Sequence, residues 1–395
     1  MRQVYLDHQS ATAALPEVWE AMQPFLAGAF GNPSSPHQHG LRAREAVEAA
    51  RARIAGLINA GSPEEIILTS GGTESANLAI KGTAWACERR GKHLVLSRTE
   101  HPSVLNSAAF LERDGFTRTL VEVDRDGVVD PDRVRAAITD KTILVAVHHV
   151  NHDIGTIEPI RQISEAAHER GIPLYVDAEA SAGWLKVDVE GLGADLLSFS
   201  PHRFYGPKGV GVLYRHRRAR LASLLHGGDQ EGGRRAGVEN VPGIVGAGVA
   251  AEIARRELPE WSARCARLQT RLWEGLRPAI ERLHLNGPEP GPRRSPVNLN
   301  ISAEFTEGEG QVLLCDLRGI ALAGGSGCVT KSLKPSHVLE AIGLEPALAQ
   351  AAVTMSLGKD NDDADIDYVL EAYPKIISKL RSMSPTWEEF QRRGS

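Results

Sequence analysis

The chain has 395 residues, 42% of them hydrophobic and 24% charged, with a formal net charge of -5 and a pI near 6.3. That length allows two packed domains, and the charge leaves no electrostatic footprint for nucleic acid or an anionic membrane. No apolar run approaches the roughly 20 residues of a bilayer span, the amino terminus lacks the apolar stretch of a signal peptide, and the four cysteines form no CxxC pair. A soluble protein of a reducing cytoplasm is expected, without a disulfide framework or a zinc site.

From about residue 60 to 215, short β-rich runs alternate with helical stretches. The strand candidates are EIILT, HLVLS, RTLVEV, TILVAVHHV, IPLYVDA, DLLSFS and VGVLY, with segments such as ESANLAIKGTAWACERR and IRQISEAAHERG between them. This predicts an α/β domain with a mostly parallel sheet, and ligands at the carboxyl ends of its strands. Residues 241–281 read as one long helical region leaving the sheet. From about residue 293 the order becomes strand SPVNLNIS, helix GEGQVLLCDLRG, strand IALAGG, helix PSHVLEAIG, strand AVTMSLG and a long final helix. That is the pattern of a smaller α+β domain, with NGPEPGPRRSP as a surface loop between the two.

Several stretches could carry chemistry. In LTSGGTESANLAIKG, Ser70 and Thr73 stand where a strand gives way to a helix, an arrangement suited either to phosphate or to ordinary capping. Asp177, in YVDAEASAG, ends an apolar strand and either pairs with a protonated ring nitrogen or caps the following turn. His101 sits beside Glu100 at another strand-to-helix turn, a place where most histidines are structural. Cys328, in AGGSGCVTKS, lies in a glycine-rich stretch where an accessible thiol is expected; Cys87, Cys265 and Cys315 fall in helical patterns and read as buried and inert. The turn SFSPHRFYGPKGVGVLY carries His202, Arg203 and Lys208.

In this order, over nearly the whole chain, these pieces resemble the cysteine desulfurases of the class V aminotransferase fold. The matching stretches include YLDHQSAT, GNPSSPHQHGLRAREAVEAAR, EEIILTSGGTESANLAIKG, TEHPSVL, HHVNHDIGTIEPI, VDAEASAG, SFSPHRFYGPKGVGVLY, HGGDQEGGRRAGVENVPGIVG, GSGCVTKSLKPSHVL and MSLGKDNDDADIDYVL. The resemblance implies a homodimeric pyridoxal phosphate (PLP) transferase fold. Its parts would be an arm over residues 1–14, a large domain over 15–255 with a seven-stranded sheet, and a small domain over 256–395.

In that family a lysine holds the cofactor as an imine, and a cysteine takes the substrate's sulfur as a persulfide. Carried over, Thr73 meets the phosphate with Ser200 and His202 alongside, His101 stacks on the pyridine ring, Asp177 pairs with the ring nitrogen, and Cys328 is the sulfur-accepting cysteine. Five positions depart from the pattern. Arg203 replaces the imine lysine, Ala180 a glutamine and His152 an asparagine at the cofactor, Val238 a threonine reaching the partner's phosphate, and Thr354 the arginine that grips the substrate carboxylate.

A guanidinium stays protonated and is a poor nucleophile toward an aldehyde. Lys208 is no substitute, because the family has a separate lysine there. Losing the carboxylate arginine alone removes a contact of about 1.5–3 kcal/mol. The ordinary desulfurase reaction is therefore expected to be lost. The leading reading is a sulfur-handling protein with a degenerate site, carrying sulfur on Cys328 or serving as a platform for a sulfur acceptor or iron–sulfur scaffold protein. A second reading keeps PLP or its amine form, noncovalently at most, held by Thr73, His101, His152, Asp177, Ser200, His202 and Arg203, with His152 or His202 as acid–base group. A third places a metal or iron–sulfur site among His101, His152, Asp177, His202 and Cys328.

Overall fold

The computed structural model describes residues 2–324 and 335–394. The chain begins with strand β1 (Val4–Leu6), then supplies the large sheet from β2 (Ile66–Thr69), β3 (His93–Ser97), β4 (Thr117–Val121), β5 (Thr142–Ala146), β6 (Leu174–Asp177), β7 (Leu196–Phe199) and β8 (Gly211–Arg215). The sheet order is β2-β8-β7-β6-β5-β3-β4. β4, β3, β5, β6 and β7 run parallel, and β8 pairs antiparallel with both β7 and β2. All seven expected strands are present. They read as continuous apolar runs because helices cover both faces and both sets of side chains are buried; β2, β3, β5, β6 and β7 are buried along their whole length.

The long helical region is a single helix, Val241–Ala279, whose first turn is capped by the Asn240 side chain on Gly243 N–H. It leads into a second sheet built from β9 (Leu283–Leu285), β10 (Asn298–Ala303), β11 (Ile320–Gly324) and β12 (Ala352–Ser356), in the order β1-β11-β12-β10-β9. β1 joins β11 in parallel, and the other pairs are antiparallel. The amino-terminal residues thus close the edge of the carboxy-terminal sheet, a pairing too distant along the chain for local pattern to reveal. Each Leu or Ile buried in these layers contributes about 1.5–3 kcal/mol.

The stretch 286–296, expected as a surface loop between two units, instead joins β9 to β10 within the second sheet, and part of it turns inward. Gly291, Pro292 and Arg293 are exposed, but Arg294 is 2% and Ser295 0% exposed. The Arg294 guanidinium donates to the carbonyls of Pro288, Asn286 and Asn298, so the loop folds around an internal cation. No described helix is long and apolar enough to cross a membrane.

Candidate functional site

Because β3, β5, β6 and β7 run parallel, the residues after their carboxyl ends share one edge of the sheet. β3 delivers Glu100 and His101, β5 delivers His148 to His152, β6 ends on Asp177, and β7 leads to Ser200, His202 and Arg203. This is where a doubly wound sheet leaves its binding crevice.

His101 caps the helix Pro102–Leu111: its Nδ1 accepts from the Ser103 N–H at 3.1 Å, which assigns the proton to Nε2. His152 meets it edge-on, with ring centroids 5.1 Å apart, and His337 lies 6.1 Å beyond His152. His337 Nε2 donates to the Glu100 carbonyl at 2.8 Å. Burial, then the Arg203 charge and His337, pushes His101 down to about 4. Burial and then its neighbouring histidines hold His152 well below the usual range. His202 falls to about 4 through burial, Arg203 and Lys208. These three imidazoles are neutral at pH 7. His337 was not picked out from the sequence, although PSHVL was among the matching stretches.

Below the histidines, Asp177 is 5% exposed, and its Oδ1 accepts from the Glu179 N–H at 2.9 Å. Burial, with the nearby Glu179 and Glu100 charges, raises its pKa to about 7. Glu179, which the sequence reading did not single out, also lies in this crevice. Its Oε1 accepts from the Ser200 hydroxyl at 2.9 Å, and Ser200 in turn accepts from the Gly72 N–H at 2.8 Å. Arg203 Nε stands 3.8 Å from Glu179 Oε2. The signal available was a carboxylate two residues after Asp177 and an arginine at a lysine's place, on neighbouring strands.

The turn bearing Arg203 is held rigidly. Tyr205, with φ 66°, occupies the left-handed region, which costs a non-glycine residue about 1–3 kcal/mol. Its N–H donates to the Thr12 hydroxyl at 2.6 Å, its carbonyl accepts from Leu15 N–H, and its hydroxyl accepts from Lys359 N–H at 2.7 Å. Gly183 faces this turn at a distance no other residue tolerates: a Cβ there would lie 2.3 Å from the Phe204 Cβ.

The remaining expected residues are dispersed. Thr73 is exposed, and its carbonyl accepts from the Asn77 side chain. Lys208 is exposed and Val238 is 60% exposed, whereas Ala180 is buried. The Thr354 hydroxyl accepts from Asn300 Nδ2 at 2.8 Å across the β10–β12 pair. Cys328 lies outside the described residues. Cys265 and Cys315 are fully buried, and burial raises both thiols to about 12; Cys87 is half-buried. Among the described residues no three His, Cys, Asp or Glu side chains are grouped to hold a metal ion, so the metal reading gains no support.

The pyridoxal phosphate implied by the resemblance meets a mixed set of residues. His101 and Asp177, which the resemblance assigns to the pyridine ring, lie at the carboxyl ends of β3 and β6. Arg203 stands at the turn lysine's place, Lys208 five residues on is exposed, and Lys81 is engaged by Asn77 Oδ1 at 2.7 Å. Of the three residues expected at the phosphate, Thr73, Ser200 and His202, Ser200 donates to Glu179 at 2.9 Å, and the neighbouring Ser70 N–H donates to Glu74 Oε2 at 2.8 Å. Position 203 therefore offers a guanidinium and no amine for an imine, and the Ser200 hydroxyl is already engaged by a carboxylate of the chain.

The fold and crevice define a class V aminotransferase. The chain belongs to that family, whose model (Aminotransferase class-V) matches residues 4–369. Its relatives are cysteine desulfurases. It is 45% identical over 391 residues to the cysteine desulfurase IscS of Clostridium botulinum (strain Hall), covering 99% of this chain and 98% of that one. It is 46% identical over 384 residues to the cysteine desulfurase IscS 1 of Archaeoglobus fulgidus, covering 97% and 99%. Among solved structures, a NifS-like protein matches with a TM-score of 0.89 at 34% identity, covering 96% of this chain and 100% of that one. A structure described as SspA in complex with cysteine matches with 0.80 at 35% identity, covering 90% and 99%.

Proposed function

We propose that this protein handles sulfur without the lysine-bound imine of its relatives, as a carrier whose Cys328 accepts sulfane sulfur from a donor persulfide. The step is an exchange. The Cys328 thiolate attacks the outer sulfur of the donor R–S–S⁻, the new bond makes Cys328 a persulfide, and the donor leaves as its thiolate R–S⁻. No net oxidant is needed. The observation that supports this reading is the Glu179–Arg203 pair, which puts a permanently protonated guanidinium where imine formation needs an amine that can be deprotonated.

Any pyridoxal phosphate would be held noncovalently at most. A homodimer, a sulfur-accepting or iron–sulfur scaffold partner, and the division at residues 14 and 255 belong to the same reading.

The test combines two assays on the purified protein. Incubation with glutathione persulfide, followed by mass spectrometry, is expected to show a persulfide on Cys328 that disappears in the Cys328→Ser variant, while Cys265 and Cys315 stay unlabelled. Incubation with cysteine and PLP, followed by borohydride, is expected to release no alanine and fix no cofactor. Alanine release by the unaltered protein, or a persulfide distributed equally over the four cysteines, would overturn the proposal.

A further inference from the structure

The strongest feature left unexplained is the position of the Glu179 side chain. It follows Asp177 by two residues and turns across the crevice to rest against the backbone of Gly72. A Cβ on Gly72 would lie 1.9 Å from Glu179 Oε1 and 2.4 Å from its Cδ, so the carboxylate fills the space that the glycine leaves open. Ser200, fully buried, is fixed between the two, accepting from Gly72 N–H at 2.8 Å and donating to Glu179 Oε1 at 2.9 Å. Arg203 faces the other carboxylate oxygen from 3.8 Å. One carboxylate of the chain itself thus receives the Ser200 hydroxyl, which the Gly72 amide holds in place, and faces the Arg203 guanidinium.

Such a set of donors is what a small oxyanion draws on. We infer that Glu179 is an internal ligand of this anion site and keeps phosphate-bearing ligands out of it. Two physical effects act together. The carboxylate takes up the volume beside Gly72 and Ser200 that a phosphate oxygen needs, and its negative charge repels a phosphate dianion at contact distance, where screening is weakest. The effect depends on the phosphate group, so a ligand lacking it loses far less.

The inference rests on the reading above for the nature of the crevice, and its test separates the two. Calorimetric titrations of inorganic phosphate, PLP and pyridoxal are made on the unaltered protein, on Glu179→Ala and on Glu179→Gln. The Ala variant, which removes both bulk and charge, is expected to bind PLP and phosphate at least about tenfold more tightly, with pyridoxal changed little. The Gln variant, which keeps the shape and drops the charge, is expected to gain less. It also provides the measurement if the Ala variant does not fold.

Equal affinities for PLP across all three proteins, or a gain for pyridoxal as large as that for PLP, would overturn the inference. Failure of the sulfur-carrier reading shows instead as alanine release from cysteine, which these titrations do not measure.

Discussion

Glu100 holds His148 twice: its Oε1 accepts the His148 backbone N–H at 2.5 Å and lies 3.0 Å from the ring Nδ1. On the far side, Nε2 of the same ring is 3.4 Å from Glu158 Oε1. All three side chains are buried. Burial alone would lower the His148 pKa, but the Glu100 charge and hydrogen bond, with Glu158, raise it to about 10. The ring is therefore an imidazolium at neutral pH, compensating two carboxylates directly under the loop that presents His101.

Replacing His148 by Ala leaves both carboxylates buried without a cation. Breaking a buried charge network in this way costs about 3–5 kcal/mol. The loss should be largest near neutrality and shrink in acid, because burial already raises the Glu158 carboxyl, and without His148 it takes up a proton and loses its charge. Urea unfolding of the variant at neutral and acid pH checks this; a loss independent of pH would sink the idea.

Arg203→Lys alone should not restore an imine. A lysine at this position would face Glu179, and a neighbouring carboxylate favours the ammonium form. Borohydride reduction with PLP is expected to fix little cofactor on the single variant and substantially more on Arg203→Lys combined with Glu179→Ala. Peptide mass mapping locates the adduct. Equal fixation by the two would show that Glu179 does not control the amine.

This interplay marks the limit of what the sequence reveals. The seven strands of the large sheet were legible because each is a short, wholly apolar run, and Asp177, His101 and Ser200 were legible because they follow such runs. β1 and β9 are three residues long and owe their conformation to partners hundreds or tens of positions away. Glu179 was missed because its importance arises only when β6 and β7 lie side by side and bring Ser200 and Arg203 to it. Arg294 sits in a Pro- and Gly-rich stretch, a composition that signals a turn and says nothing about an inward-facing side chain.

Protonation of Asp177 has a predictable sign. Its pKa is raised from 3.8 to about 7, chiefly by burial, so the folded state binds a proton that the unfolded chain lacks between those values. Its contribution favours folding at low pH and is lost as pH rises toward 7. Asp177→Asn keeps an acceptor for the Glu179 N–H and removes the buried charge. It is expected to stabilise the protein by about 2–4 kcal/mol near pH 8 and by little near pH 4. His101 behaves oppositely. Depressed from 6.5 to about 4, it supports folding above 6.5 and loses that contribution as pH falls toward 4. His101→Asn should therefore flatten acid destabilisation over that window. Denaturant midpoints measured across pH decide both signs.

Arg294 ties the β9–β10 loop to the segment that carries His152. Its guanidinium donates to the carbonyls of Asn286 and Pro288 and, at 3.2 Å, to Asn298 Oδ1. Asn298 then donates through Nδ2 to the Asp153 carbonyl at 2.9 Å, and Ser295 N–H donates to the Gly155 carbonyl at 2.7 Å. An arginine is needed because its planar fork serves several acceptors at once, whereas an ammonium is a point charge with different reach. Arg294→Lys is expected to cost about 2–3 kcal/mol, since at least one buried carbonyl loses its donor. It should also loosen the turn from Asn151 to Gly155 and shift the His152 ring resonances, while those of His284, whose ring is bonded to Glu304 at 2.7 Å, stay in place. A stability loss with unchanged His152 signals would confine Arg294 to packing the loop and break its link to the crevice.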